Sequence, residues 1–414
     1  MRQRRSWGWL RKKEEPMGNS LVVILGAGFS RPVGLPLAHE IKERFDRDQR
    51  KKLLCFGSGE WMWADDKGEV DLNNGRLNFD WLPYSYLLNE LVKTYKGNMG
   101  SFVNYEHFYQ WINNKATDKA IKVKVYNAAK DSLLEDFPNI AEFEPEYEGE
   151  VHPILFRFKN DTDLSSLLGI VNYLIADLLG FTESQFNTSL TEYGPFLNYL
   201  KKFDSVDVFT LNHDLLLENL LKYFGLEYSR GFTKENSEIR YQDEDTPIAV
   251  FKNAFDKPIK LHKLHGSIDY YRFENYVQGQ KPYLESTGEY NYFTTNNYRE
   301  KHFAIRVNPK TGEVLQDSNF NIVPKFITGT DKSKIIENDL MYSELFKRFE
   351  ESMRNTSNVL ISGYSFGDEH INSELKKCND INVLNQNPFV EYPFKSETNR
   401  KLDSLGELEE FIQK

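Results

Sequence analysis

The chain has 414 residues, of which 40% are hydrophobic and 14% aromatic, and a formal net charge of −10. That is ample apolar material for a packed core and excludes a disordered chain; the acidic balance opposes the broad basic face that phosphate contacts require, so direct nucleic-acid binding is not expected. Two cysteines, Cys55 and Cys378, with no CxxC pair, exclude a four-thiolate zinc site and suit a reducing, cytoplasmic setting. No apolar run reaches about 18 residues, so no membrane span is expected. The basic N-terminus is not followed by the apolar core of a secretory signal.

In chain order, residues 1–18 form a basic tail (Arg2, Arg4, Arg5, Arg11, Lys12 and Lys13, with Trp7 and Trp9 between them), read as a solvated arm. Residues 21–30, LVVILGAGFS, run five apolar residues into Gly26-Ala27-Gly28. Such a run suits a strand buried on both faces, ending in a turn where backbone must approach something closely. The apolar spacing over 35–45 predicts a helix next. Strand, glycine turn and helix together are how doubly wound folds hold a pyrophosphate, although the same pattern serves as a plain tight turn. Residues 55–81 are irregular and bear tryptophans.

Helical spacing then covers 86–96, 105–113, 119–137, 164–179 and 190–203, with an acidic loop at 141–149. The strand pattern resumes at 205–211, followed by a helix over 214–224 and short strand-like pieces over 228–250. Residues 258–264 read as one arm of a hairpin continuing through 268–273, and 274–301 as a long loop. A strand is predicted at 321–327, a helix at 340–353, a strand at 358–362, a turn over 363–367 and a helix at 369–377. The predicted fold is α/β: a Rossmann-like doubly wound parallel sheet with a mostly helical insertion subdomain. Its parts are the tail 1–18, a first segment 19–81, the helical insertion 82–203, a second segment 204–379 and a C-terminal tail 380–414 that wraps the domain or a neighbour.

Ligands of open parallel sheets sit beyond the carboxyl ends of the strands. Four such ends carry small or polar groups: Gly26 to Ser30, TLNHD at 210–214, LHGS at 264–267 and GYSFGD at 363–368. There is no HExxH, no GxSxG elbow, and no Lys-Ser/Thr to make a P-loop. The histidines look scattered, so no metal is expected. Each residue also has a plainer reading. Asn212 and Asp214 suit helix caps, His265 a hairpin cap, and Ser30 the end of its turn. His213 is a decoy beside Asn212, His262 and His370 read as structural, and Glu106 suits a helix start.

GAGFSRPVGLP, TLNHD, LHGS and GYSFGD, in this order and at these distances, resemble the sirtuin-like NADase family of bacterial antiphage defence systems. The likeness spans about residues 18–377, and the run Asn321-Ile322-Val323-Pro324 also fits the defence members. The resemblance implies NAD as substrate. By it, Gly26, Ala27, Gly28 and Ser30 cradle the phosphates, and Asn212 positions a water or ribose hydroxyl. Asp214 lies near the nicotinamide amide, His265, with Gly266 after it, contacts the ribose hydroxyls, and Gly363 and Ser365 hold the adenosine side. Deacylating sirtuins carry two CxxC pairs and an Asp-Phe-Arg after Gly-Ile-Pro. Here Gly34-Leu35-Pro36 is followed by Leu37-Ala38-His39. What remains is the cleavage of the nicotinamide–ribose bond, through an oxocarbenium-like transition state and with water as acceptor. The resemblance thus implies an NAD hydrolase that depletes NAD as a defence effector, a homo-oligomer controlled by a HerA-like ATPase or another sensor protein. The alternatives are a non-catalytic NAD or ADP-ribose-binding regulatory subunit of an ATPase complex, an NAD-dependent protein deacylase, and a nuclease subunit.

Overall fold

The computed structural model describes residues 19–45, 53–55, 61–63, 82–140, 146–147, 150–151, 166–241, 246–278, 284–295, 304–316, 324–329 and 332–412. The basic tail, most of the tryptophan-bearing segment, most of the acidic loop and residues 321–323 lie outside them.

At the centre is a seven-stranded parallel sheet in the order Thr398–Leu402, Asn382–Gln386, Asn358–Ser362, Ser20–Leu25, Ser205–Thr210, Ile259–Lys263, Tyr228–Ser229. The strand Ser20–Leu25 has neighbours on both sides, and every residue from Leu21 to Leu25 is buried. Its side chains alternate between faces. Leu21, Val23 and Leu25 join a core with Phe196, Leu197, Leu216 and Leu405, whereas Val22 and Ile24 join another with Phe209, Leu345, Phe349 and Ile371. The chain leaves this strand for Ser205–Thr210 on one side and later returns to Asn358–Ser362 on the other. The topological switch point, where open sheets open a crevice, therefore lies at the carboxyl ends of Ser20–Leu25 and Asn358–Ser362.

The helices Leu82–Met99, Tyr105–Lys115, Lys119–Asp136 and Ser166–Leu178 share a separate core around Tyr86, Tyr95, Phe108 and Leu174. Their starts are encoded locally. The Asn104 side chain accepts the His107 N–H, and Asp118 accepts those of Ala120 and Ile121. The next helix, Glu183–Leu200, begins earlier than its apolar spacing suggests, because Thr182 and Gln185 form a capping box. It belongs to the sheet layers: Tyr193 and Phe196 pack on Phe29, and the Tyr193 hydroxyl donates to the Phe29 carbonyl at 2.7 Å.

Several expectations are corrected. The turn at Gly26 continues as a 3-10 helix, Ala27–Val33, and the helix expected over 35–45 shrinks to Ala38–Ile41 and a 3-10 turn, Lys42–Arg44. Gly34, at φ +87°, and Pro36 stop it forming sooner. Residues 258–264 and 268–273 do not form a hairpin. Ile259–Lys263 is a parallel strand, and the chain then leaves the sheet. The segment read as a long loop supplies most of a real hairpin, Tyr270–Gln278 with Leu284–Thr294, in a four-stranded antiparallel sheet. Its polar composition hides an alternation that buries Tyr271, Phe273 and Phe293 together. The stretch after Asp380 is no tail: Asn382–Gln386 and Thr398–Leu402 extend the main sheet.

No single helix among the described residues is long and apolar enough to cross a bilayer. Among the same residues, the apolar helix pair 167–178 and 183–200 is bent by 63° at its break.

Candidate active site

All four polar strand ends meet. A cavity of about 980 Å³ at the switch point is lined by Gly26 to Ser30, Asn212, His213, Asp214, His265, Gly363 and Ser365. The helical core adds Tyr105 and Glu106, and the last strands add Gln386, Asn387 and Asp403.

The glycines are required by close packing of backbone on backbone. Gly26 donates its N–H to the Ser362 carbonyl, and Gly28 to that of Gly363, each at 3.0 Å. A Cβ on Gly26 would fall 2.6 Å from the Gly363 carbonyl oxygen, and one on Gly363 would fall 2.1 Å from the Phe29 nitrogen. The Phe29 N–H turns back to Gly26. The Ala27 N–H opens the 3-10 turn, where helix geometry supplies no acceptor, and Ala27 is exposed on the cavity wall.

Asn212 follows the strand Ser205–Thr210. Its Nδ2 donates to the Gly26 carbonyl at 2.9 Å and to Ser30 Oγ at 3.1 Å. Because a carbonyl can only accept, this fixes which way the amide faces and leaves Oδ1 as the atom available to a ligand. Ser30 in turn donates to Asp214 Oδ2 at 2.8 Å, and Asp214 Oδ1 accepts the Leu216 N–H at 2.9 Å. Burial pushes the Asp214 carboxyl above its usual range, against the opposing pull of Lys263. Asp214 thus lines the cavity and also does the capping work of its plainer reading.

Beneath this loop lies a buried ionic network. Lys263 bonds the Asp214 carbonyl and, at 3.1 Å, Glu218. Arg230 reaches Glu218 at 3.3 Å and grips Asp269 with two bonds of 2.8 Å. Burial opposes ionisation of Asp269, but Arg230 overcomes it and brings its pKa to about 2.

His265 is buried on the cavity wall, and its Nε2 lies 3.0 Å from the Nε2 of His370. Burial lowers its pKa well below the usual histidine range, helped by Lys332, His370 and His213. Burial thus favours its neutral form. Burial also brings His213 down to about 3; its Nδ1 faces the Gly266 carbonyl at 3.4 Å and its ring packs on Phe326. His262 behaves as its plain reading expects, bonded to Asp207 at 3.1 Å and stacked on Phe209.

Gly266 is the predicted site residue that the structure does not bring to the cavity wall. It has φ +81°, and a Cβ there would meet the Tyr342 hydroxyl at 2.4 Å and the Lys325 carbonyl at 2.8 Å. It lets the chain turn behind His265.

Sequence reading missed His370, Asp368 and Lys332. The Lys332 ammonium lies 2.8 Å from Asp368 and 2.9 Å from Glu106. Burial works against its charge, but these two carboxylates raise its pKa. The histidines are not scattered: ligand atoms of His265, His370 and Asp368 all lie within 4.8 Å of one another. The available signal was that Asp368 and His370 directly follow the GYSFG turn. Leu37, Ala38 and His39 are on the wall as well.

A solved structure of a Sir2 homologue in complex with NAD aligns over 96% of this chain and 89% of its own, at 12% identity and a TM-score of 0.30, too loose a superposition to carry an argument. No curated protein sequence matches the chain. Residues 206–404 match the profile of the SIR2-like domain family. The matched span includes Asn212, His265, Gly363 and Ser365 and leaves out the Gly26 turn, which the fold supplies from the neighbouring strand. Over residues 206–404, just under half of its length, the chain is thus similar to the SIR2-like domain family.

Proposed function

We propose that the protein is an NAD+ glycohydrolase that releases nicotinamide and ADP-ribose. The observation that carries this reading is the convergence of Asn212, His265 and the two glycine turns on one cavity at the switch point of a SIR2-like domain. A cavity of about 980 Å³ has room for a dinucleotide. The close-packed turns at Gly26 and Gly363 form the backbone cradle such a ligand needs, with the Ala27 N–H as donor. When bound, NAD supplies an activated pyridinium leaving group. Asn212, tied through Nδ2, offers Oδ1 to orient a water or ribose hydroxyl. Neutral His265 accepts the proton from that hydroxyl or water. Asp368 and Glu106, on the same wall, add negative charge where positive charge develops.

The absence of both CxxC pairs and of the Asp-Phe-Arg supports hydrolysis over deacylation. The motif order supports a cytoplasmic antiphage effector that depletes NAD, a homo-oligomer under the control of a HerA-like ATPase or another sensor. Chromatography of purified protein with NAD, with and without such a partner and an acyl-lysine peptide, separates the readings. A glycohydrolase releases nicotinamide and ADP-ribose without peptide, a deacylase only with it, and a regulatory subunit binds without turnover.

A further inference from the structure

We propose that His265, His370 and Asp368 form a site for one divalent cation of the zinc type, and that filling it removes His265 from the reaction, so that zinc is an inhibitor. The inhibitory half rests on the glycohydrolase reading; the binding half does not.

The two Nε2 atoms face each other at 3.0 Å, with ring centroids 5.1 Å apart. Tetrahedral zinc with bonds of about 2.0–2.1 Å to each imidazole would hold them roughly 3.3 Å apart. A few tenths of an ångström of side-chain adjustment therefore turns a His–His hydrogen bond into a pair of metal ligands. A carboxylate completes the set: an oxygen of Asp368 and one ring nitrogen of each histidine all lie within 4.8 Å of one another. Two imidazoles and one carboxylate are a donor set that zinc and its first-row neighbours favour.

Access and charge also fit. His265 and Asp368 line the cavity, so a hydrated cation can arrive from it and keep its remaining positions open towards it. Lys332 lies against Asp368, but Glu106 shares that ammonium, and the three side chains together sum to one negative charge. The cation thus meets a carboxylate pair that Lys332 only half neutralises. The site is built on separate elements. His265 follows the strand Ile259–Lys263, whereas Asp368 immediately precedes the helix Glu369–Leu375 and His370 is its second residue. Zinc would therefore clamp the helix Glu369–Leu375 to the turn after Lys263.

The test is calorimetric titration of the chelator-stripped, full-length protein with zinc, repeated with cobalt(II) to read its visible spectrum. Wild type is expected to bind one equivalent, with the cobalt bands of a four- or five-coordinate site. His370→Ala and Asp368→Asn should each weaken binding by more than the roughly tenfold that losing even an outer partner costs. His370→Gln replaces the alanine variant if that one unfolds. Failure of wild type to bind zinc, or equal binding by wild type and both variants, overturns the site and leaves the His–His hydrogen bond alone. Nicotinamide release should fall over the zinc range in which binding saturates and return with chelator. Zinc bound without nicotinamide release under any condition removes the glycohydrolase reading, and inhibition with it, but keeps the site. Release unaffected at saturating zinc overturns inhibition alone.

Discussion

Gly28 donates its backbone N–H to the carbonyl of Gly363 at 3.0 Å, joining the two strand ends that frame the cavity. The relationship leaves no room for side chains. In Gly363→Ala the new Cβ would fall 2.1 Å from the Phe29 nitrogen and 2.4 Å from the Gly28 carbonyl carbon, at φ +65°. The backbone conformation alone costs about 1–2 kcal/mol, and the clash adds to it. Thermal melting should show a markedly destabilised or insoluble protein. Gly367→Ala, whose Cβ would meet only Ser365 Oγ at 3.8 Å, should change stability by no more than about 0.5 kcal/mol.

Ser30 joins two of the polar residues of the TLNHD loop by accepting from Asn212 and donating to Asp214. Ser30→Ala leaves a buried carboxylate oxygen without its hydroxyl donor. Denaturant unfolding should register a loss of about 1–3 kcal/mol. Catalysis should weaken less than in Asn212→Ala, because Asn212 keeps its bond to the Gly26 carbonyl.

The ionic network under the loop predicts a larger loss. Lys263→Met leaves Glu218 buried with only Arg230, at 3.3 Å, to balance it. Breaking a buried pair from one side costs about 3–5 kcal/mol. A measured loss under about 1 kcal/mol would mean that Arg230 alone suffices.

Much of this was legible in the sequence, and the misses have physical causes. The strand Ser20–Leu25 announces itself because burial on both faces demands an unbroken apolar run. The residues Asn212 and His265 stand out because strand ends in an open sheet are where polar groups gather. His370 was passed over although it follows the polar end of the strand Asn358–Ser362, because its partner is 105 residues away and helical spacing makes it look like an ordinary helix residue. Thr398–Leu402 was hidden because an edge strand keeps polar and charged residues, and its first three are exposed. The hairpin of Tyr270–Gln278 and Leu284–Thr294 was hidden by its Asn, Glu and Gly content, although its aromatic residues alternate between faces.

Acid should destabilise the fold through its buried histidines. Burial lowers the pKa of His213 to about 3 and that of His265 well below 6.5. Both stay neutral in the folded chain while the unfolded chain takes up protons below about 6.5, so their contribution is present above that pH and lost as pH falls. For His213 the loss is on the order of 1 kcal/mol per pH unit over this range, and His265 acts in the same direction. Melting temperature should decline from pH 6.5 to 5, and His213→Phe, which keeps an aromatic ring against Phe326, should flatten the decline. An unchanged melting temperature over that range would contradict neutral burial of these rings.

The most direct test of the central claim is nicotinamide release from NAD by wild type, Asn212→Ala and His265→Ala, each shown to be folded and each assayed with and without the proposed HerA-like ATPase. The account predicts release by wild type and a fall of roughly 100-fold or more in each variant. Equal NAD loss in all three would contradict it.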